Sequence, residues 1–254
     1  MATQTSPDTV IQLPPAARAG QLIDLRDRLV PDEAIAPYLT ASLLTRDDDV
    51  LAARQLLAQV YLATGFIDDG DLAGDGTLGL RHDPWVESSS YYAVTRDGAP
   101  VATARQISAA DVTQLPALQL AQLDAEMVAD LVAQPAGAVV EISALARARR
   151  GSSADVAAIY VRMWSESLRR GHRAWVMAVD LRVLELLRNM FAGAAIRPLG
   201  PPQEYLGSTV VPAVLWCDDL PPQQLRMAQE SDGANPLTVL LPRLFPAALA
   251  TSPS

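Results

Sequence analysis

Residues 139–153 read VVEISALARARRGSS, and this stretch decides the fold. It opens as an apolar, β-branched run typical of a buried strand, carries one carboxylate, Glu141, and ends as a loop of arginine, glycine and serine. The helix expected over 154–170 follows, with Val156, Ile159, Tyr160, Met163, Trp164 and Leu168 forming an apolar stripe at i, i+3, i+4 spacing. Gly171 stands where a helix stops. RAWVMAVD, 173–180, is a second continuous apolar strand, and its Asp180 can cap the helix LRVLELLRNMF, 181–191. Strand, helix, strand in this order implies a parallel pair joined by a right-handed crossover.

Working outward, SYYAVTRDGAPVATARQI, 90–107, places two β-prone runs around Asp97-Gly98 and predicts a hairpin. Before it, DDDVLAARQLLAQVYLATGF, 47–66, predicts a helix with aspartates at its start and Val50, Leu51, Leu57, Val60 and Tyr61 near one face. A Gly- and Asp-rich loop, 68–79, and the aromatic-bearing RHDPWVESSS, 81–90, connect the two. Helix is expected from Pro116 to Val132, with a break at Pro135–Gly137. AAIRPLG, 194–200, and STVVPAVLW, 208–216, read as the last strands, separated by PPQEYLG. A short helix is expected before Pro31. Residues 1–20 read as a loosely packed N-terminal segment, 21–217 as one α/β domain, and 218–254 as a Pro-rich extension. No internal repeat is visible.

Composition removes several classes of function. The chain has 254 residues, 50% of them hydrophobic, enough for one sizeable core. A net charge of −9 argues against general nucleic-acid binding, which relies on cations to neutralise phosphates. All 20 basic side chains are arginine, so a lysine Schiff base and a Walker A lysine are both excluded. His82 and His172 lie at no metal-ligand spacing, so no metal is expected, and no G-x-S-x-G elbow is present. The single cysteine, the absence of a basic-then-apolar leader, and the lack of a run near 20 apolar residues predict a cytoplasmic protein without a membrane span.

Two features can carry chemistry. The loop Arg149, Arg150, Gly151, Ser152, Ser153 enters a helix, where free N–H groups and the positive dipole end attract phosphate. The same residues would equally serve as a solvated turn capped by serine. Glu141 either points to solvent or borders a crevice at the end of its strand, where desolvation would raise its pKa and suit it to accept a proton from an amine. Arg162, Arg169, Arg170 and Arg173 add a local positive zone on an acidic chain.

The segment from Tyr91 to Trp216 resembles the GNAT superfamily of acyltransferases, in particular its acyl-homoserine-lactone synthase and N-acyl amino acid synthase branch. The residues that carry the likeness are YYAVTRDGAPVATARQI, VVEISALAR, SSADVAAIYVRMWSESLRRGHRAWVMAVD and GPPQEYLGSTVVP, in that order. The resemblance implies a mixed, mostly antiparallel sheet with a splayed central parallel pair, flanked by helices. It implies an enzyme that moves an acyl group from acyl-CoA or an acyl carrier protein to a small-molecule amine such as an amino acid. The donor would be a substrate, with no permanently bound cofactor.

Under that resemblance Glu141 is the base. Ile142, Ser143, Ala144 and Leu145 line the pantetheine arm, and Arg149, Arg150, Gly151, Ser152 and Ser153 meet the phosphates. Asp83, Trp85 and Arg105 fall on the acceptor side. Many acetyltransferases carry an acidic tyrosine on the helix after the second central strand. LRVLELLRNMF has none, which leaves Tyr205 as candidate acid or pocket residue. The lactone-forming branch carries Glu-x-Ser-Arg on the central strand. Here Glu141 and Ser143 match and Ala144 replaces the arginine, turning the reading away from lactone synthesis. RARRGSS also replaces the acetyltransferase loop pattern Arg/Gln-x-x-Gly-x-Gly/Ala, which keeps a carrier-protein donor open beside CoA. A non-catalytic module that binds an acyl carrier or metabolite, and a lactone synthase-like enzyme, are the alternatives.

Overall fold

The computed structural model describes residues 40–190, 196–205 and 208–217. The segments read as 1–20 and 218–254, and the short helix before Pro31, lie outside the described residues. Within them the chain forms β1 (Ala41–Leu43), α1 (Asp47–Thr64), β2 (Ser89–Arg96), β3 (Ala99–Ile107), α2 (Ala125–Val132), β4 (Val139–Arg147), α3 (Ser153–Arg170), β5 (Ala174–Asp180), α4 (Leu181–Met190), β6 (Ile196–Pro198), β7 (Gln203–Tyr205) and β8 (Ser208–Trp216).

The eight strands make one sheet in the order β1-β2-β3-β4-β5-β8-β6, with β7 also on β8. Every pairing is antiparallel except β4 with β5. The β2–β3 hairpin turns as its sequence predicts: Asp97 and Gly98 have φ of 51° and 75°, the left-handed pair that a two-residue turn on twisted strands requires. α1 packs against β3 and β4, and α3 against β1, β2 and β3. Strands covered on both faces need not alternate apolar with polar residues, which is why Val101–Ile107 is buried throughout. The main core joins Trp164, Met163 and Ile159 of α3 to Tyr92, Val140 and Trp175 of the sheet.

The parallel pair positions the site. β4 and β5 pair only at Val139 with Ala174, Val140 with Trp175 and Glu141 with Val176. Past Glu141, β4 stays with β3 as far as Arg147, while β5 stays with β8 as far as Asp180. The strands therefore part, and the sheet opens. β4 also bulges here, with one more residue between Ser143 and Ala146 than β3 has between Thr103 and Arg105. Ala144 takes the bulge at φ 55°, a left-handed conformation that costs a non-glycine residue about 1 kcal/mol.

Several expectations change. The helix expected over Pro116–Val132 is one 3₁₀ turn, Pro116–Leu118, then α2 alone. Gln122, at φ 56°, interrupts the run, and Asp124 starts the helix by accepting from Glu126 N and Met127 N, both at 3.0 Å. PPQEYLG contains a strand, β7, and β1 was not anticipated. On α1 the buried residues are Ala53, Leu56, Leu57 and Ala58. Of the expected face, Val50, Leu51, Val60 and Tyr61 are only half-buried, because for Tyr61 at least that side faces a cleft. No helix among the described residues is long and apolar enough to cross a membrane.

Candidate active site in the open sheet

A cleft of about 810 Å³ occupies the gap between β4 and β5. Glu141, Ile142, Ser143, Ala144 and Leu145 form one wall, and Met177–Asp180 with Val210 form the other. Tyr61, Phe66 and Leu78 close it from the α1 side, and Trp85 and Arg105 also reach it. The lining is mostly apolar with a few convergent polar groups, which suits a ligand with a long non-polar part.

Glu141 stands at the apex, where strand pairing ends. Its side chain is 2% exposed, and one oxygen, Oε2, accepts the Ala117 N–H at 2.7 Å. Burial pushes its pKa up from 4.5 to about 7, with the Ala117 amide and the Arg105 cation pulling the other way. A carboxyl in this state exchanges a proton near neutral pH, as a general base for an amine must.

Arg105 and Asp83 form a buried ion pair, 9% and 2% exposed. The arginine also donates from Nε to Ser143 Oγ at 3.0 Å. Burial alone would lower the Arg105 pKa, but Asp83, with Tyr91 and Tyr61, more than offsets it, so the guanidinium stays charged. Asp83 thus reaches the cleft only through Arg105 and holds it in place. Ser143 is engaged by the same arginine, and Trp85 lines the cleft.

Tyr205 lines the cleft. Burial, and then the charge of Glu141, push its hydroxyl pKa up. The sequence pattern places Tyr61 only on a helix face. It also lines the cleft, and its pKa is raised by burial, with Arg105, Tyr205, Asp83 and Glu141 all acting on it. A tyrosine at the edge of a half-buried helical stripe was the available signal. Its ring meets Phe66 edge-on with centroids 5.5 Å apart.

The arginine loop is arranged differently from the expectation. At Gly151 an added Cβ would lie 2.5 Å from the Val101 carbonyl oxygen, so the glycine serves close packing on β3. Its own carbonyl accepts from Arg147 at 2.6 Å. Ser152 caps α3, its Oγ accepting the Asp155 N–H at 3.3 Å while its own N–H donates to Asp155 Oδ2 at 2.6 Å. A carboxylate of the chain itself therefore sits at this helix start. Arg149, Arg150 and Ser153 are exposed beside it and are not part of the cleft wall. His172 is buried in a network away from the cleft, and no cluster of His, Cys, Asp and Glu among the described residues is placed to hold a metal.

The sequence matches no family model and no curated protein. Solved structures do share its architecture. FeeM, an N-acyl amino acid synthase from uncultured soil microbes, superposes with a TM-score of 0.56 at 15% identity, over 75% of this chain and 98% of its own. The fold is GNAT-like. BjaI, a CoA-dependent acyl-homoserine lactone synthase solved with SAM and isopentyl-CoA, gives 0.52 at 14% identity, over 71% and 82%. The AHL synthase LasI gives 0.50 at 15%, over 70% and 90%. At these identities the likeness establishes the GNAT-like fold of this chain.

Proposed function

We propose that the protein is an N-acyltransferase that moves an acyl group from a thioester to the amine of a small molecule. The observation that carries this reading is Glu141: a buried carboxyl with a pKa near 7, at the apex of an open, largely apolar cleft. The acyl chain and pantetheine arm would lie along Ile142–Leu145, where β4 has left β5 and its edge faces the cleft. The acceptor amine would sit at Glu141, on the side of Arg105 and Trp85. Glu141 takes the ammonium proton, the free amine attacks the thioester carbonyl, and the C–S bond breaks as the thiolate takes a proton from the site, which the second proton lost by the nitrogen replaces. Tyr205, which lines the same cleft, is our candidate for that proton donor. Holding both reactants in one cleft supplies much of the acceleration.

Ala144 at the bulge directs the acceptor reading to an amino acid or another simple amine rather than to lactone formation. Arg149 and Arg150, exposed at the start of α3, are the cations for the donor's phosphates. Because Asp155 already occupies that helix start, a carrier-protein donor stands beside acyl-CoA.

The test is thiol release from acyl-CoA and from acylated carrier protein in the presence of an amino-acid pool, with the product identified by mass. Release that depends on both amine and Glu141 is expected. Saturable donor binding without release under any pairing would instead favour a non-catalytic module.

A further inference from the structure

The segment Leu115–Asp124 crosses the mouth of the site as a strap, with Gln119 and Leu120 lining the cleft. It is tied at three points. Ala117 N–H donates to Glu141 Oε2 at 2.7 Å. Asp124 N–H donates to the Leu199 carbonyl at 2.7 Å. Between them, Gln203 of β7 grips both backbone groups of one residue: its Oε1 accepts from Ala121 N–H at 3.0 Å, and its Nε2 donates to the Ala121 carbonyl at 2.7 Å. The neighbouring Gly200 is approached so closely by the Gln122 carbonyl that a Cβ there would stand 2.8 Å from its oxygen.

A side-chain amide that meets both the N–H and the C=O of a single residue imitates a strand partner, and of the uncharged side chains only Asn and Gln can do so. The segment has no strand or helix pairing of its own over 119–123, so these contacts set its height above the cleft. Its upstream end is the Pro116–Leu118 turn, in which the Leu118 N–H is taken by the Leu115 carbonyl and the Ala117 N–H is the amide left to hold the glutamate.

We propose that Gln203 is a positioning residue for Glu141: by clamping Ala121 it keeps the strap seated, so that the Ala117 amide occupies Oε2 and the acceptor meets Oε1. This rests on the base role of Glu141 proposed above. Among the described residues no protein partner is found for Oε1. The clamp acts across the mouth from β7, the strand that also carries Tyr205, so one short strand sets both the base and the candidate acid.

The test uses Gln203→Leu, with Gln203→Glu as a second variant that keeps the acceptor and loses the donor. The carboxylic-acid stretch of Glu141, isolated by infrared difference against Glu141→Gln, is titrated in each. Loss of the Ala117 hydrogen bond removes a contact that favours the carboxylate, so the midpoint moves upward by about one pH unit. The acid limb of kcat/KM moves with it, while the donor KM is unchanged. Ala117→Pro, which deletes the amide, reproduces the shift, and combining it with Gln203→Leu adds little. Glu204→Ala on the same strand leaves the midpoint in place. Folded variants with an unmoved midpoint would overturn the proposal. A moved midpoint in a protein that transfers no acyl group would uphold the clamp and overturn the acyltransferase reading instead.

Discussion

β3 sends two neighbouring residues into two buried polar groups on opposite faces of the sheet, and the groups differ in kind. Arg105 joins Asp83, Ser143 and the cleft beside Glu141. Gln106 joins a chain of neutral partners: its Oε1 accepts from the Tyr92 hydroxyl at 3.0 Å, and its Nε2 meets His172 Nδ1 at 2.8 Å. His172 in turn meets Ser167 Oγ at 3.2 Å, which also accepts the Trp175 indole N–H at 2.8 Å. On this second face the partners are supplied by the protein, and none of these residues lines the cleft. On the first, a carboxyl keeps one oxygen at the edge of a cavity. A buried polar group satisfied by its neighbours holds the fold, whereas one left half-satisfied beside a cleft is available to a ligand.

Glu141→Gln breaks the comparison most sharply. The amide keeps an acceptor for Ala117 but cannot take a proton, so kcat should fall by about 10² to 10⁴, measured by thiol release at saturating donor. The same variant should be more stable than the parent at pH 8. The parent holds a buried carboxylate whose pKa has been driven from 4.5 to about 7, a cost of up to about 3 kcal/mol once it ionises. Urea denaturation at pH 8 checks this, and an unchanged midpoint would mean that Glu141 is not desolvated.

Asp83→Asn should lower stability by about 3–5 kcal/mol, because it leaves the Arg105 cation buried without its counter-charge. Denaturation of the apo protein, with no substrate involved, reads this directly.

The two groups also respond to pH in opposite senses. Glu141 holds its proton in the folded state up to about pH 7, whereas the unfolded chain releases it near 4.5. Its contribution is therefore fully present below 4.5 and is lost as pH rises through 7. His172 is neutral when folded, its pKa pushed down from 6.5 to about 4 by burial and by Arg170. Its contribution is present above 6.5 and is lost as pH falls through 4. Between 4.5 and 6.5 the two slopes oppose each other. His172→Gln should unmask a stability that falls with rising pH, and Glu141→Gln one that rises. Melting temperatures across that range in both variants decide it.

The smallest effect is expected on the second face. Tyr92→Phe removes one hydroxyl from a closed network and should cost about 1–2 kcal/mol without changing acyl transfer. A large loss of activity there would erase the distinction between the two faces.

Much of this architecture was legible in the sequence because it depends on local pattern. Asp97-Gly98 requires a tight turn whatever surrounds it, the stripe from Val156 to Leu168 requires a helix, and two apolar strands about that helix require a parallel pair. Glu141 was legible as a candidate because a carboxylate in an apolar strand needs a reason. Local pattern failed where a distant group decided the outcome. The expected helix over Pro116–Val132 is interrupted, and an amide in its first turn is held by Glu141, 24 residues away. Gly151 is pressed on Val101, a contact from 50 positions away that the loop's own pattern does not reveal.

The amino-acid sequence by itself determined α1, the hairpin and the crossover, since each follows from residues within a few turns of one another, and its composition excludes lysine chemistry. Only the tertiary structure decided what the polar residues do. The meeting of Asp83 with Arg105, 22 positions apart, and of Gln203 with Ala121, 82 apart, is set by which groups are buried together. A carboxylate's pKa, likewise, depends on how much water the folded chain leaves around it.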